Sequence, residues 1–317
     1  TYLKMKIKRI IALLIASVVF NSVLIAQENQ TQTNGKPIIQ VFGDFYANFG
    51  EDKEELGFEL NRAYLGYQYE LKKGLSIKAV MNIGESKQVN DYQRIAYIKN
   101  AQISWKHNNL TLNAGLISTT QFNEIEKFWG KRYVAKSFQD EYKFGYSADL
   151  GLSAAYKFGE ILSIDAIITN GEGYKKLQQN NSFQYGLGAT INPIKNLYFR
   201  LYGGINDENQ ANFSFFTGYK SEKITLGAEY NILKDQKQGA SFFGNFSINK
   251  NFDFYARYDI LEEEILLTTQ GNSSVIAGFE YRINDNIKIS PNFKASIPRD
   301  NNLNTKYSAF ISCYFGI

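Results

Sequence analysis

The sequence predicts an all-β fold: a transmembrane antiparallel β-barrel of about 16 strands whose third extracellular loop folds inward. Three features point there. Apolar and polar side chains alternate in segments of about ten residues, as in Lys288-Ile289-Ser290-Pro291-Asn292-Phe293-Lys294-Ala295-Ser296-Ile297, where odd positions are apolar and even ones polar. A strand that turns one face to lipid and the other to a water-filled lumen has this period of two. The connections between segments run short, then long, then short. The N-terminus, finally, has the form of an export signal.

Lys6, Lys8 and Arg9 precede the apolar run Ile10 to Phe20, and Ser22-Val23-Leu24-Ile25-Ala26 leads into Gln27. A basic region, a short apolar core and a small residue at the cleavage point make residues 1–26 a secretory signal peptide. The apolar core is too short to span comfortably as a helix. Met5 reads as the start, with Thr1 to Lys4 upstream of it. Cleavage after Ala26 is expected to leave 291 residues, with 27–36 a periplasmic segment and 37–317 a single barrel domain. The formal charge of +4 rests on Lys4, Lys6, Lys8 and Arg9, so the mature chain carries 31 basic and 31 acidic residues and is neutral. Charge therefore gives no reason to expect nucleic acid as a partner. One cysteine, Cys313, excludes an intramolecular disulfide and a cysteine-rich metal site, and its parity makes it lipid-facing. With 44% hydrophobic residues but no later run as long as a membrane helix, the chain is a barrel or is not in the membrane.

The alternation gives strands at 37–49, 57–71, 75–84, 95–106, 110–118, 145–158, 161–171, 183–193, 196–205, 211–221, 223–233, 239–249, 252–261, 272–283, 286–296 and 305–316. An even number suits a bacterial single-chain barrel. Tight turns fall at Lys72-Lys73-Gly74, His107-Asn108-Asn109, Gly159-Glu160, Ile194-Lys195, Glu222, Lys250-Asn251 and Asn284-Asp285. Longer loops fall at 50–56, 85–94, 119–144, 172–182, 206–210, 234–238, 262–271 and 297–304. Short periplasmic turns with longer loops outside are the barrel pattern, and closure leaves no backbone edge for lipid to meet.

Parity separates two faces. Ile77, Met81, Ile83, Leu150, Leu152, Leu201, Leu226, Ile289 and Phe293 point outward, and aromatics such as Phe49, Tyr67, Tyr69, Trp105, Phe158, Phe213, Tyr281 and Phe315 gather near strand ends as interfacial girdles. Inward parity carries Arg62, Lys78, Lys157, Arg200, Lys220, Arg257, Arg282, Lys288 and Lys294 against Asp44, Glu70, Asp149, Asp165, Glu229, Asp253, Asp259 and Glu280. The count is nearly balanced, so it dictates no strong ion selectivity. Sixteen strands leave a lumen too wide for strand side chains alone to fill.

The candidate filler is the loop 119–144, which mixes aromatics with five basic and four acidic residues. A loop this long in a compact fold is functional or disordered, and its Phe, Tyr and Trp content argues against disorder. It is expected to fold into the pore as a constriction. Lys127, Lys131, Arg132 and Lys136 could then attract anions, with Arg62 on the opposing wall, because a narrow low-dielectric passage focuses charge. Local ion pairs to Glu124, Glu126, Asp140 and Glu141 are the competing reading.

The runs Gly115-Leu116-Ile117-Ser118-Thr119-Thr120-Gln121-Phe122, Glu126-Lys127-Phe128-Trp129-Gly130-Lys131-Arg132-Tyr133, Lys136-Ser137-Phe138-Gln139-Asp140-Glu141-Tyr142, Ser147-Ala148-Asp149-Leu150-Gly151 and Asn170-Gly171-Glu172-Gly173-Tyr174 resemble the porin-type barrels of Bacteroidetes. More distantly, Leu60-Asn61-Arg62-Ala63-Tyr64-Leu65-Gly66 resembles the second strand of phosphate-selective porins. The resemblance covers nearly the whole mature chain. It implies a 16-stranded outer-membrane porin, a homotrimer, with an inward third loop. The distant porins pass phosphate along ladders of Arg and Lys; this lumen is charge-balanced.

Catalysis has little support. The single histidine, His107, falls in a turn beside two Asn, so a Ser-His site has nowhere to form. Glu262-Glu263-Glu264 falls on a predicted loop and reads as a solvated or cation-binding rim rather than acid–base machinery, and no metal-ligand spacing occurs. No enzyme activity, cofactor or metal is expected. The expected location is the cell outer membrane, with lipid outside the barrel and small hydrophilic solutes or inorganic anions within. The alternative is a non-conducting barrel that serves as a structural or binding subunit of a larger outer-membrane assembly.

Overall fold

The period of two in the sequence is realised as sixteen antiparallel strands closed into one barrel, each paired with its chain neighbours and the last with the first. The computed structural model describes residues 34–49, 55–85, 93–207, 209–265, 268–300 and 302–317. The expected signal peptide and most of 27–36 lie outside the described residues. The barrel body is 37–317.

The strands are β1 Gly35–Phe49, β2 Glu55–Glu70, β3 Leu75–Glu85, β4 Arg94–His107, β5 Leu110–Ser118, β6 Ala148–Phe158, β7 Leu162–Thr169, β8 Gln184–Ile191, β9 Leu197–Asn206, β10 Ala211–Lys220, β11 Ile224–Leu233, β12 Lys237–Ser247, β13 Phe252–Ile265, β14 Thr268–Asn284, β15 Ile287–Pro298 and β16 Lys306–Gly316. Closure runs from Gln40 opposite Gly316 to Phe49 opposite Tyr307. Among the described residues no helix is long and apolar enough to cross a membrane. The backbone groups are instead satisfied between strands around a ring without edges, the arrangement lipid permits.

Burial is inverted relative to a water-soluble sheet. Ile77, Leu150, Leu152, Leu226 and Phe293 are exposed, while Asn231, Ser241, Ser290 and Ser312 on the other parity are buried. Apolar side chains outside and polar ones inside match lipid outside and a polar lumen. The aromatics expected at strand ends, among them Phe49, Tyr67, Phe158 and Phe315, stand on the outer face, and Cys313 is free and exposed.

Two features differ from the sequence reading. The segment 262–271, read as a loop bearing Glu262-Glu263-Glu264, is mostly ladder: β13 and β14 stay paired up to Ile265 opposite Thr268. Hydrophobic alternation stops where lipid stops, but backbone pairing needs no apolar side chain and continues above it. The expected start of the sixth strand at 145 moves to 148, because Ser147 closes the preceding loop by accepting the Thr119 N–H at 3.2 Å.

A register break matters for the site. Val80 lies opposite Asn100 and Met81 opposite Ile98, so Lys99 is an extra residue on β4. Such a bulge breaks alternation and re-aims a side chain.

Candidate functional site

The segment between β5 and β6 contains two short helices, α1 Asn123–Trp129 and α2 Phe138–Glu141. Glu124 and Glu126 sit in the first turn of α1 and Lys127 in its last, matching the helix dipole. Gly130 ends it in the left-handed conformation at φ +65, returning its N–H to the Glu126 carbonyl at 3.0 Å. Ile125, Phe128 and Trp129 form the buried face.

That face packs on strand side chains of the buried parity. The Phe128 ring lies 4.8 Å from Tyr198 and 5.0 Å from Phe216, and Trp129 lies 5.5 Å from Phe243 and 6.0 Å from Tyr255. Glycines on the wall make the room: a Cβ at Gly218 would meet Phe128 at 2.5 Å, and one at Gly239 would meet Phe138 at 2.6 Å. Polar contacts follow the same arc. Asn245 donates to the Trp129 carbonyl at 3.3 Å, Lys294 to that of Val134 at 2.7 Å, Lys237 to that of Tyr142 at 3.0 Å, and Gln139 to Ser214 at 2.8 Å. Aromatic contacts continue from Tyr133 through Tyr314 and Phe42 to Tyr64.

Two ionic clusters hold this segment. Lys131 Nζ is 2.9 Å from both Asp253 and Glu280, and Arg282 reaches the same two carboxylates at 2.6 and 2.9 Å. Tyr133 donates its hydroxyl to Glu280 at 2.7 Å. Arg132 bridges Glu126 and Asp140, each at 2.7 Å. Burial works against the Asp140 charge, but Arg132 and Lys136 outweigh it and hold that carboxyl below the usual aspartate range. Burial also opposes the Arg132 charge, and Tyr64, Glu126 and Asp140 together overcome it.

Of the basic residues that the sequence singled out, most are neutralised. Lys131 and Arg132 are paired as above, Lys127 pairs with Glu124 at 2.8 Å on an exposed surface, and Lys136 stands 4.0 Å from Glu141. On the wall, Arg200 is held by Asp165 at 2.8 Å and donates to the Thr120 carbonyl, and Arg257 is held by Asp259. Lys288 and Lys294 lie over the Tyr314 and Phe310 rings at 5.2 and 4.1 Å, and Lys78 is half-buried on β3. Like Lys288 and Lys294, Arg62 has no carboxylate within ion-pair distance among the described residues; it donates to the Tyr64 hydroxyl at 2.6 Å.

Two further cations without a carboxylate partner among the described residues escaped sequence reasoning. Lys99, the bulged residue, donates to the same Tyr64 hydroxyl at 3.1 Å. Lys175 lies over the Tyr97 ring at 4.9 Å, and Tyr97 meets Tyr174 edge-on at 6.4 Å. The Lys99 signal was present: outward Ile98 and Ala101 are separated by two polar residues, Lys99 and Asn100, where strict alternation allows one. Lys175 is in a loop, where no periodicity marks direction.

Burial of the inner parity is uneven around the ring. Ser214, Glu229, Asn231, Ser241, Asp259 and Glu280 on β10–β14 are buried; on β2–β5, Tyr64, Val80, Asn82 and Asn100 are buried and Gln68, Lys78, Gln102, Ser104 and Asn113 are half-exposed. The latter face is polar and internally bonded: Gln102 donates to Ser104, Ser104 to Asn113, and Asn113 to Ser153, at 2.7 to 3.0 Å. His107, the one histidine, stacks on Trp105 at 5.5 Å with an interplanar angle of 12°.

No protein-family model and no curated protein matches the chain. Solved structures do match, among them the following at low identity. OprB of Pseudomonas putida is similar with a TM-score of 0.71 and 9% identity, covering 90% of this chain and 95% of that one. OmpF of Salmonella typhi, solved with daunomycin, gives 0.67 and 10% identity over 90% and 99%. A loop-deletion mutant of OmpT, an outer membrane protein of Vibrio cholerae, gives 0.62 and 13% identity over 90% and 100%. These likenesses show the fold: a closed 16-stranded barrel of the outer-membrane porin architecture.

Proposed function

We propose that this chain is a diffusion porin of the outer membrane. In this reading, small hydrophilic solutes pass between the segment 119–147 and the wall formed by β2–β5. The observation that carries it is the uneven burial. Where the segment packs on β10–β14, the polar inner residues are covered; on β2–β5, apart from the buried Asn82 and Asn100, residues such as Gln68, Lys78, Gln102, Ser104 and Asn113 are left half-exposed, and the last three form a bonded chain that water can solvate. The segment then acts as a constriction attached to one side of the lumen. The ends bearing the longer loops face outside, and the assembly is a homotrimer, a form in which one in-vitro folded OmpT is described.

The preference is weakly anionic. Most loop and wall cations are matched by carboxylates, so long-range attraction is small, and selectivity falls to Arg62, Lys99 and Lys175 on the open side. Charges in a narrow passage act at short range with little screening. The fold likeness to OprB and OmpF supports the channel reading; a phosphate-specific ladder finds no support here, since Arg200 and Arg257 are tied to Asp165 and Asp259.

Swelling of proteoliposomes in isosmotic glycine, glutamate or lysine tests this. Glycine should enter readily, and glutamate faster than lysine. No swelling in any of the three would favour the non-conducting barrel instead, and faster lysine entry would overturn the assignment of Arg62, Lys99 and Lys175.

A further inference from the structure

A cleft of about 340 Å³ opens at the barrel end that carries the longer connections. It lies among the returning limb of the 119–147 segment, the loop after β7, and the turns after β9 and β11. Its chemistry is unlike that of the passage. Seven of its fifteen lining residues are Asn or Gln, and only Lys143 and Glu172 are charged, with opposite signs. Its size is at the low end of small-molecule sites.

Some of these amides build the walls. Asn212 bridges Gln121 and the Phe144 carbonyl at 3.3 Å, and the Asn206 side chain accepts the Gln210 N–H at 2.8 Å. The side chains of Asn170, Gln184, Gln210 and Gln236 make no hydrogen bond to another described residue. Each amide offers two donors and an acceptor. Of the two aromatic rings in the lining, Phe144 is buried, while Tyr146 lies against the backbone of Gly173, where a Cβ would come within 2.5 Å of the ring, and remains 43% exposed. Gly173 is at φ +76, so this turn favours glycine both for backbone shape and for contact with the ring.

We propose that this cleft binds neutral saccharides. Free amides that both donate and accept match hydroxyls that do the same, and an exposed tyrosine ring offers a flat apolar surface to the C–H face of a pyranose. A simple ion has little to gain where the two charges cancel, and an apolar ligand would strip the amides of water without replacing its hydrogen bonds. The site lies on the limb that leads out of the constriction, so a sugar held there waits at the entrance of the proposed passage.

Isothermal titration of the full chain, purified in a polyoxyethylene detergent so that no sugar headgroup competes, tests the proposal. The probes are glucose, galactose, maltose and diacetylchitobiose. Saturable binding of at least one, with a Kd of the order of millimolar, is expected. Tyr146→Ala and Gln236→Ala should each weaken it about tenfold, since an unpaired polar group or a lost stacking surface is felt directly. Gln236 is an exposed turn residue, so its variant tests the cleft without burdening folding. Arg62→Ala should leave binding unchanged. Absence of saturable heat up to about 50 mM of every probe, or equal affinity in the wild type and both cleft variants, would overturn the proposal. Titration reads the cleft whether or not the barrel conducts, so the failure of this site and the failure of the porin reading are separate outcomes.

Discussion

Replacing Lys131 with Met removes the cation that joins the segment 119–147 to β13 and β14. The side chain is almost wholly buried, as are those of Asp253 and Glu280, each 2.9 Å away. Removing one partner of a buried ion pair costs about 3–5 kcal/mol, because the charge left behind stays desolvated. Here Arg282 still reaches both carboxylates and is itself partly open to water, so the lower end, about 3 kcal/mol, applies. At 1.4 kcal/mol per tenfold change, the docked segment should lose roughly a hundredfold of its advantage over a locally detached state. The aromatic contacts of Phe128 and Trp129 remain, so the barrel should stay folded while the segment loosens. Limited proteolysis within residues 122–140 should accelerate, and open-channel current noise should rise. Adding Glu280→Gln removes the surplus negative charge and leaves Tyr133 an acceptor, so the double variant should recover much of the loss, a coupling between contacting groups that a double-mutant cycle measures. A Lys131→Met protein as resistant as the wild type, or a double variant no better than the single, would refute this account of the latch.

Trp129→Ala should cost about 3–5 kcal/mol by opening a cavity beside Phe243 and Tyr255, and should raise single-channel conductance while the protein still migrates faster unboiled than boiled. Lys99→Glu should move the reversal potential toward cations more than Lys127→Glu does, since Lys127 is exposed and already paired with Glu124. Lowering the pH tests the Arg132 clamp. The Asp140 carboxyl is held below its unfolded range, so its stabilisation is present above roughly pH 4 and is lost as the pH falls through the folded value. Proteolysis of the segment by an acid-tolerant protease should stay flat from neutral pH to about 4 and rise below it.

The barrel was legible because lipid enforces a rule on every second side chain. All sixteen strands fall within a few residues of where alternation puts them. The rule fails where lipid ends. Glu262 and Glu263 are paired strand residues that alternation could not mark, and the connection after β11 is the three residues 234–236 where alternation gave 234–238. The site was less legible, for two reasons. Charge counts identify cations but not their partners: Lys131 reads the same in sequence whether it faces water or Asp253, a residue 122 positions away. A bulge also changes what parity means, and Lys99 entered the lumen by that route. The packing aromatics Phe128 and Trp129 were visible as an argument for order, but the glycines that receive the segment, Gly218 and Gly239, look like any glycine in a strand.

The most direct test of the central claim is the current through single molecules of the wild-type protein in a planar bilayer under a tenfold salt gradient. The account predicts discrete conductance steps and a reversal potential of weakly anionic sign that shrinks toward zero as total salt rises and screening shortens the reach of Arg62, Lys99 and Lys175. A folded barrel that passes no current, or one that prefers cations, would contradict it.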